Sequence, residues 1–302
     1  MFYKDDWISW TYDGIKFGKK INPKTKFEFQ FNKTIHRPLK SFKEELLENT
    51  SRIRDLFREP FDLLLSGGVD SEVVLRCNLE LKIPINVFIF KYENDYNFYD
   101  VQNAIRICNE LNISPIVVDF NLQHFFENDA YDIWKKGYFH KAGRLPHMKM
   151  IEYSDNIPIM GDGDPQWVYH NDKWVFELGE SNHSQSIYCI NSGRTAIPDW
   201  FEYSPEVLVS HMYHKNMKNI VNNIIPASTT FYDVNKYFLY KDLWPAIVPR
   251  LKRVGFEKFN LQPKSISADL DFMIEFQKMI NLTDPHHTVK YFTKDEFVDL
   301  II

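Results

Sequence analysis

Cysteine is scarce in this chain of 302 residues, and Cys77, Cys108 and Cys189 stand far apart with no Cys-x-x-Cys pair among them. Three scattered thiols build neither a disulfide framework nor a four-thiolate zinc site, so a reducing, cytoplasmic setting is expected. Long apolar runs are missing too. No stretch approaches the roughly 18 residues of a membrane span, and the first ten residues carry Lys4, Asp5 and Asp6 where a signal peptide needs an apolar core. A soluble chain with no membrane partner is expected. Basic excess is absent: 36 Lys and Arg against 41 Asp and Glu leave a net charge of −5, not the global footprint of a nucleic-acid binder. One local basic and aromatic stretch, Lys135, Lys136, Lys141 and Arg144 among Trp134, Tyr138, Phe139 and His140, reads as a solvated helix end, with a substrate entrance or an RNA contact as the alternative. No repeat, low-complexity tract or clear linker is found, so a second domain would be docked on the first. His211 and His214, and the pair His286-His287, lack a third ligand at diagnostic spacing and read as core or surface histidines.

What is present is an apolar pattern that changes period along the chain. Strand-like alternation runs from Trp7 to Tyr12 and from Lys26 to Phe31, with a turn at Asp13-Gly14, giving a β-rich N-terminal arm over 1–40. From Ser41 the apolar residues Phe42, Leu46, Leu47, Ile53 and Leu56 fall on one helical face, and Ser41 with Glu44 makes a capping box. Short apolar runs then alternate with helical periods. Strands are expected at Phe61 to Leu65, Ile85 to Phe90, Pro115 to Phe120 and Ile157 to Met160. Helices are expected at Asp70 to Leu81, Phe98 to Leu111, Leu122 to Lys136 and Pro146 to Ser154. Such βαβ units predict an α/β core over 41–165 with a doubly wound, mainly parallel sheet. Over 166–302 a hairpin from Trp167 to Leu178 about His170 to Asp172 is followed by a mostly helical region: Glu206 to Ile224, Val234 to Leu251 with a break at Pro245, and Ala268 to Ile280.

The chemistry-bearing segment follows the first core strand, where Ser66-Gly67-Gly68-Val69-Asp70-Ser71 opens a helix. Two glycines let the backbone turn sharply and approach a ligand, and the helix start aims unpaired N–H groups and a positive dipole end at the same point. Ser66 and Ser71 add hydroxyls. Asp70 faces a bound phosphate sensibly only with a cation such as Mg²⁺ between them. The constellation suits a pyrophosphate with its metal, and the missing Gly-Lys-Ser/Thr sequence excludes a Walker loop.

These residues resemble the PP-loop of the ATP pyrophosphatase superfamily, and from about Ser41 to Phe256 the chain resembles the synthetase domain of asparagine synthetases. The resemblance implies an adenine nucleotide alpha hydrolase-like fold, ATP and Mg²⁺ as cofactors, and an AMP-forming reaction that adenylates a carboxylate or amide oxygen of a small-molecule substrate. Residues 88–94 and 104–112 resemble the family's second strand, acidic loop and helix, which puts adenine near Phe90 through backbone groups. Met160-Gly161-Asp162-Gly163-Asp164-Pro165 resembles the family's Gly-Glu-Gly-Ser-Asp-Glu segment. Gly161 then faces the nucleotide, and Asp162 takes the place of the acidic base. Pro165 stands on the family's metal-binding aspartate, and Asp164, one residue earlier, is the substitute metal ligand beside Asp70. Lys241 and Lys252 match the late Lys motif and the Arg-x-Lys-x-Gly-Phe segment, implying a catalytic charge stabiliser and a phosphate contact. The chain begins Met1-Phe2-Tyr3 with only about forty residues before the first helix, so the family's glutaminase domain is not expected, and nitrogen would come from free ammonia, the substrate or a separate ammonia-supplying partner. A nucleobase-modifying enzyme of the 7-cyano-7-deazaguanine synthase type is the alternative within the superfamily, although its four-cysteine zinc site has no counterpart here. A nucleotide-binding protein that has lost turnover is the alternative from another class, with Pro165 as its evidence.

Overall fold

The computed structural model describes residues 7–171, 173–215, 239–248, 271–285 and 287–302, with backbone only at 166 and 169. The first sheet is antiparallel in the order β2-β1-β3, from β1 (Ile8–Tyr12), β2 (Ile15–Lys16) and β3 (Phe27–Phe31). Asp13 and Gly14 join the first pair with φ of 48° and 80°, the left-handed pair that a two-residue hairpin turn requires. Helix α1 (Phe42–Leu56) opens with the expected capping box: Ser41 Oγ accepts from the Glu44 N–H, and the Glu44 carboxylate accepts from the Ser41 N–H at 2.9 Å.

The central sheet is parallel throughout and runs β6-β5-β4-β7, built from β4 (Phe61–Leu64), β5 (Ile85–Tyr92), β6 (Ile116–Phe120) and β7 (Ile157–Ile159). Its crossovers carry α2 (Val69–Glu80), α3 (Phe98–Glu110), α4 (Leu122–Asn128), α5 (Ala130–Gly137) and α6 (Leu145–Tyr153). Strand alternation sends Leu63 and Ile89 into a core with α1, α2 and α3. Leu64 and Phe90 enter a second core with α4, α5 and α6. This is the expected doubly wound α/β architecture. Asp62 is buried in mid-strand, and its carboxylate accepts from Asn86 Nδ2 at 2.8 Å, Asn156 Nδ2 at 2.9 Å and Ser154 Oγ at 2.7 Å. These partners offset the cost of burying a charge and tie β4 to β5 and to the turn before β7. Strand order reverses between β4 and β7, so the crevice at their carboxyl ends is where such sheets bind ligands.

The expected helix from Leu122 to Lys136 is two helices, parted at Asp129, whose carboxylate lies 3.2 Å from Lys149 Nζ. The hairpin is present as β8 (Gln166–His170) and β9 (Lys173–Gly179). A strand the periodicity missed, β10 (Val289–Phe292), extends it by pairing with β9. Also unexpected is α7 (Ser184–Ser192), which Gly193 closes at φ 66°. Helix α8 (Pro205–Tyr213) occupies the start of the expected Glu206 to Ile224 span, and residues 216–224 lie outside the described residues. Of the helix expected over 234–251 with a break at Pro245, residues 239–248 are described, and helix gives way to turns and irregular backbone already from Lys241. The chain ends with α9 (Asp271–Thr283) and α10 (Lys294–Ile301). A third core joins Trp7, Trp10 and Phe29 of the first sheet to Phe176 of β9, Leu208 of α8, and Phe297 and Ile301 of α10. Each such fully buried large side chain contributes about 1.5–3 kcal/mol. No helix among the described residues is long and apolar enough to cross a membrane.

Candidate functional site

β4 delivers the chain to the crevice, and the Leu65 N–H still bonds to the Phe88 carbonyl at 2.9 Å before the backbone turns. Gly67 adopts φ 74°, and a Cβ there would lie 2.2 Å from the Asp100 carbonyl oxygen. Only glycine lets the loop pass this close beneath the first turn of α3. Gly68 is the N-cap of α2 and supplies no side-chain cap, which leaves the helix start to attract an anion. Ser66 Oγ and Ser71 Oγ lie 3.1 Å apart, and Ser66 Oγ also accepts from the Gly68 N–H at 3.3 Å. Val69 is buried and roots the helix in the core. Asp70 is buried as well, and its Oδ1 accepts from the Tyr240 hydroxyl at 3.0 Å.

The end of β7 forms the facing wall. A Cβ on Gly161 would lie 2.8 Å from the backbone N and Cα of Ser71, so glycine here lets the strand end lie flat on the first turn of α2. Asp162 is half-buried; its Oδ2 accepts from Gln185 Nε2 at 2.8 Å and its carbonyl accepts from the Phe201 N–H at 3.1 Å. Gly163 turns at φ 88° over Asp199 and Glu202, which a Cβ would meet at 3.1 and 3.0 Å. Asp164 and Pro165 are buried directly after it.

The fold therefore brings the 66–71 loop, the 161–164 turn and the Tyr240-Lys241 segment to one crevice. Lys241 is half-buried and directly follows the residue that bonds to Asp70. Phe90 stands one strand away. Its ring stacks on Phe120 at 5.1 Å, and its carbonyl accepts from Asn97 Nδ2 at 2.8 Å. Lys252 lies outside the described residues. A cleft of about 510 Å³ opens at the carboxyl ends of β5 and β6, lined by Lys91, Glu93, Asp95, Asp119 and Asn121 among others and by no residue of the 66–71 loop or the 161–164 turn. Tyr240 and Gln185, which hold Asp70 and Asp162, escaped sequence reading. Tyr240 was findable as the neighbour of Lys241, whereas Gln185 stands in no recognisable spacing. His211 and His214 both lie edge-on to Phe42, at 5.3 and 6.0 Å, as packed histidines do.

No family model and no curated protein matches the chain. Among solved structures it is similar to NMN synthetase from Francisella tularensis, at 15% identity over 75% of this chain and 93% of that one, with a TM-score of 0.35. It is similar also to the NH3-dependent NAD synthetase of Campylobacter jejuni, at 17% identity over 75% and 94%, TM-score 0.33. The U34-tRNA thiolase of Methanococcus maripaludis aligns at 15% identity over 80% of each chain, TM-score 0.33. Likenesses this distant carry no argument about the site, and the α/β architecture stands on the strand order and registers themselves.

Proposed function

We propose that this chain is an AMP-forming enzyme of the PP-loop ATP pyrophosphatase type, related in chemistry to the synthetase domain of asparagine synthetases. The observation that carries the reading is the close packing of the 66–71 loop against Gly161 at the strand-order reversal, with an uncapped helix start and a buried Asp70 between them. In this reading residues 41–165 hold the nucleotide and 166–302 shape the acceptor side. Ser66, Ser71 and the backbone N–H groups at the start of α2 hold the departing pyrophosphate. Asp70, a hard oxygen donor beside an anion cradle, fits Mg²⁺, with Asp164 as the second carboxylate on the facing turn. Mg²⁺, when bound, supplies charge neutralisation at the phosphates.

The substrate carboxylate or amide oxygen attacks the α-phosphorus of ATP. An O–P bond forms as the bond to the bridging oxygen breaks, and the electron pair leaves with pyrophosphate. An amine then displaces AMP, and Asp162 accepts the proton it sheds, with Gln185 fixing that carboxylate. Lys241 stabilises the developing phosphate charge. The nitrogen arrives as free ammonia, from the substrate or from a separate partner.

The test is AMP and pyrophosphate release from ATP with Mg²⁺ over a panel of aspartate with ammonia, other amino acids and nucleobase precursors. Substrate-dependent AMP is expected, reduced about 100-fold or more by Asp70→Ala. Release of ADP in place of AMP, or an unaffected variant, refutes the reading. Pro165, where the family resemblance places a metal-binding aspartate, favours a second reading: a nucleotide-binding protein without turnover, for which ATP binds and AMP never appears.

A further inference from the structure

The basic and aromatic stretch from Tyr131 to Arg144 takes no part in the nucleotide crevice. We propose that Lys135, Lys136, Lys141 and Arg144 form a docking strip for single-stranded nucleic acid, with Tyr131 as a stacking platform. The proposal does not depend on the reading of the nucleotide site. Lys135, Lys136 and Lys141 are exposed and Arg144 is half-buried, and among the described residues none of the four forms an ion pair. Even Asp132, one helical turn before Lys135 and Lys136 on α5, pairs with neither. Other surface cations are neutralised locally, Arg37 by Glu45 at 2.6 Å, Lys43 by Glu80 at 2.9 Å and Lys149 by Glu152 at 2.7 Å. In a chain of net charge −5, four neighbouring cations without counter-charges keep a local positive potential, the footprint of a polyanion site.

The backbone beneath the strip is fixed before any partner arrives, which lowers the ordering cost of binding. Tyr138 closes α5 in the left-handed region at φ 54°, and its hydroxyl donates to the Lys20 carbonyl at 2.6 Å. Gln277 of α9 clamps the next turn, with Nε2 donating to the His140 carbonyl at 2.9 Å and Oε1 accepting from the Ala142 N–H at 2.8 Å. Tyr131 is 44% exposed and stacks on the buried Trp134 at 5.7 Å and 25°, with Lys135 Nζ 4.3 Å from its ring centre. An exposed ring braced by a buried one beside a cation suits an unpaired base next to its phosphate. A duplex has no free base face to offer it, and a bilayer needs apolar insertion that a tyrosine among lysines does not supply. The strip also has a direction, because it runs alongside α7. Asn191 Nδ2 donates to the Lys136 carbonyl at 2.6 Å, the Ser184 hydroxyl to the Tyr138 carbonyl at 3.4 Å, and Arg144 Nη1 to the Ser181 carbonyl at 3.4 Å. Gln185, which holds Asp162, stands on the first turn of that helix. A strand passing from Lys136 to Arg144 is thus led toward the 161–164 turn.

Fluorescence anisotropy of the full chain with labelled oligo(U) and oligo(dT) of about 16 nucleotides tests this, beside a duplex of the same length and phosphatidylserine vesicles. Both single strands share the required chemistry, and the tighter of the two identifies the sugar. A slope of log K against log[salt] of about −3 is expected, since each of four neutralised phosphates contributes about −0.7. Affinity then falls about 50-fold from about 50 to about 200 mM salt. Lys135→Ala with Lys136→Ala should make the slope shallower by about 1.4. Tyr131→Ala should weaken binding about 5-fold or more at an unchanged slope. Arg106→Ala, which removes a cation already paired with Glu110, should alter neither quantity. These side chains are exposed, so each variant should unfold at the wild-type temperature, which separates lost binding from lost fold. Failure to bind either strand at about 50 mM salt overturns the proposal. So does a slope that the double lysine variant leaves unchanged, or tighter binding of the duplex or the vesicles than of the single strands.

Discussion

Replacing Gly67 by alanine inserts a methyl 2.2 Å from the Asp100 carbonyl oxygen while forcing a side-chain-bearing residue to keep φ 74°. The left-handed conformation costs an L-residue about 1–2 kcal/mol. Moving the loop or the first turn of α3 by the roughly 1 Å needed to relieve the contact adds about 1–3 kcal/mol, as overpacking generally does. The lower entropy of the unfolded alanine chain returns about 0.4–1 kcal/mol. A net loss of about 2–4 kcal/mol follows, which for a chain of this size lowers Tm by about 3–6 °C. Gly193 is the internal control, since it adopts φ 66° with nothing within 4 Å of an added Cβ. Gly193→Ala carries only the backbone penalty less the same unfolded-chain term, and its Tm should fall by no more than about 2 °C. Scanning calorimetry of the two variants side by side separates conformational strain from steric exclusion. Equal losses in the two variants would refute the close approach of the loop to α3.

The three thiols are all buried. Burial pushes Cys77 and Cys189 well above the ordinary thiol range and Cys108 up to about 11. Native protein at pH 8 should therefore leave Ellman's reagent unreacted, with all three groups appearing on denaturation; a rapid native reaction would contradict the packing of these residues. His287 is held down at about 4 from an ordinary 6.5 chiefly by burial, against the opposing pull of Glu180. Between those values the unfolded chain binds more protons than the folded one. The stability that neutral His287 contributes is thus complete above pH 6.5 and lost as the pH falls towards 4, by up to about 3 kcal/mol. His287→Gln should flatten that part of the urea-unfolding profile, and an unchanged slope would rule the imidazole out as its source.

Where local pattern and final environment agree, the sequence was readable. The 61–71 segment combines an apolar run, two glycines and a helical period, and each feature has one physical use in the fold. The Ser41 capping box is likewise a contact between residues three apart. Helix α7 was invisible for the opposite reason. Its Ser, Ile, Tyr, Cys and Asn content has weak helix preference, and its first six residues are all buried, so no polar face marks a 3.6-residue period. Strand β10 offers only four residues, and its partner β9 lies over a hundred positions earlier. The split at Asp129 leaves the apolar period in phase across it, so a single helix was the natural expectation. At the site, the paired glycines announced the 66–71 loop, and the 161–164 turn was singled out by resemblance to a family segment. The bonds from Tyr240 to Asp70 and from Gln185 to Asp162 come from distant segments, and no spacing encodes them.

The third core has a consequence for the order in which the protein acquires its structure. Trp7, Trp10 and Phe29 are synthesised well before the partners that bury them, Phe176, Leu208 and finally Phe297 and Ile301, with the Thr34 and Ile35 N–H groups bonded to the Ile301 carbonyl. The parallel sheet can close on its own helices as the ribosome advances. The first hairpin must wait, aromatic and unburied, until α10 has been made. Sequence separation thus leaves β1 to β3 reliant on chaperone protection during synthesis, and makes α10 the latch whose docking ends that exposure.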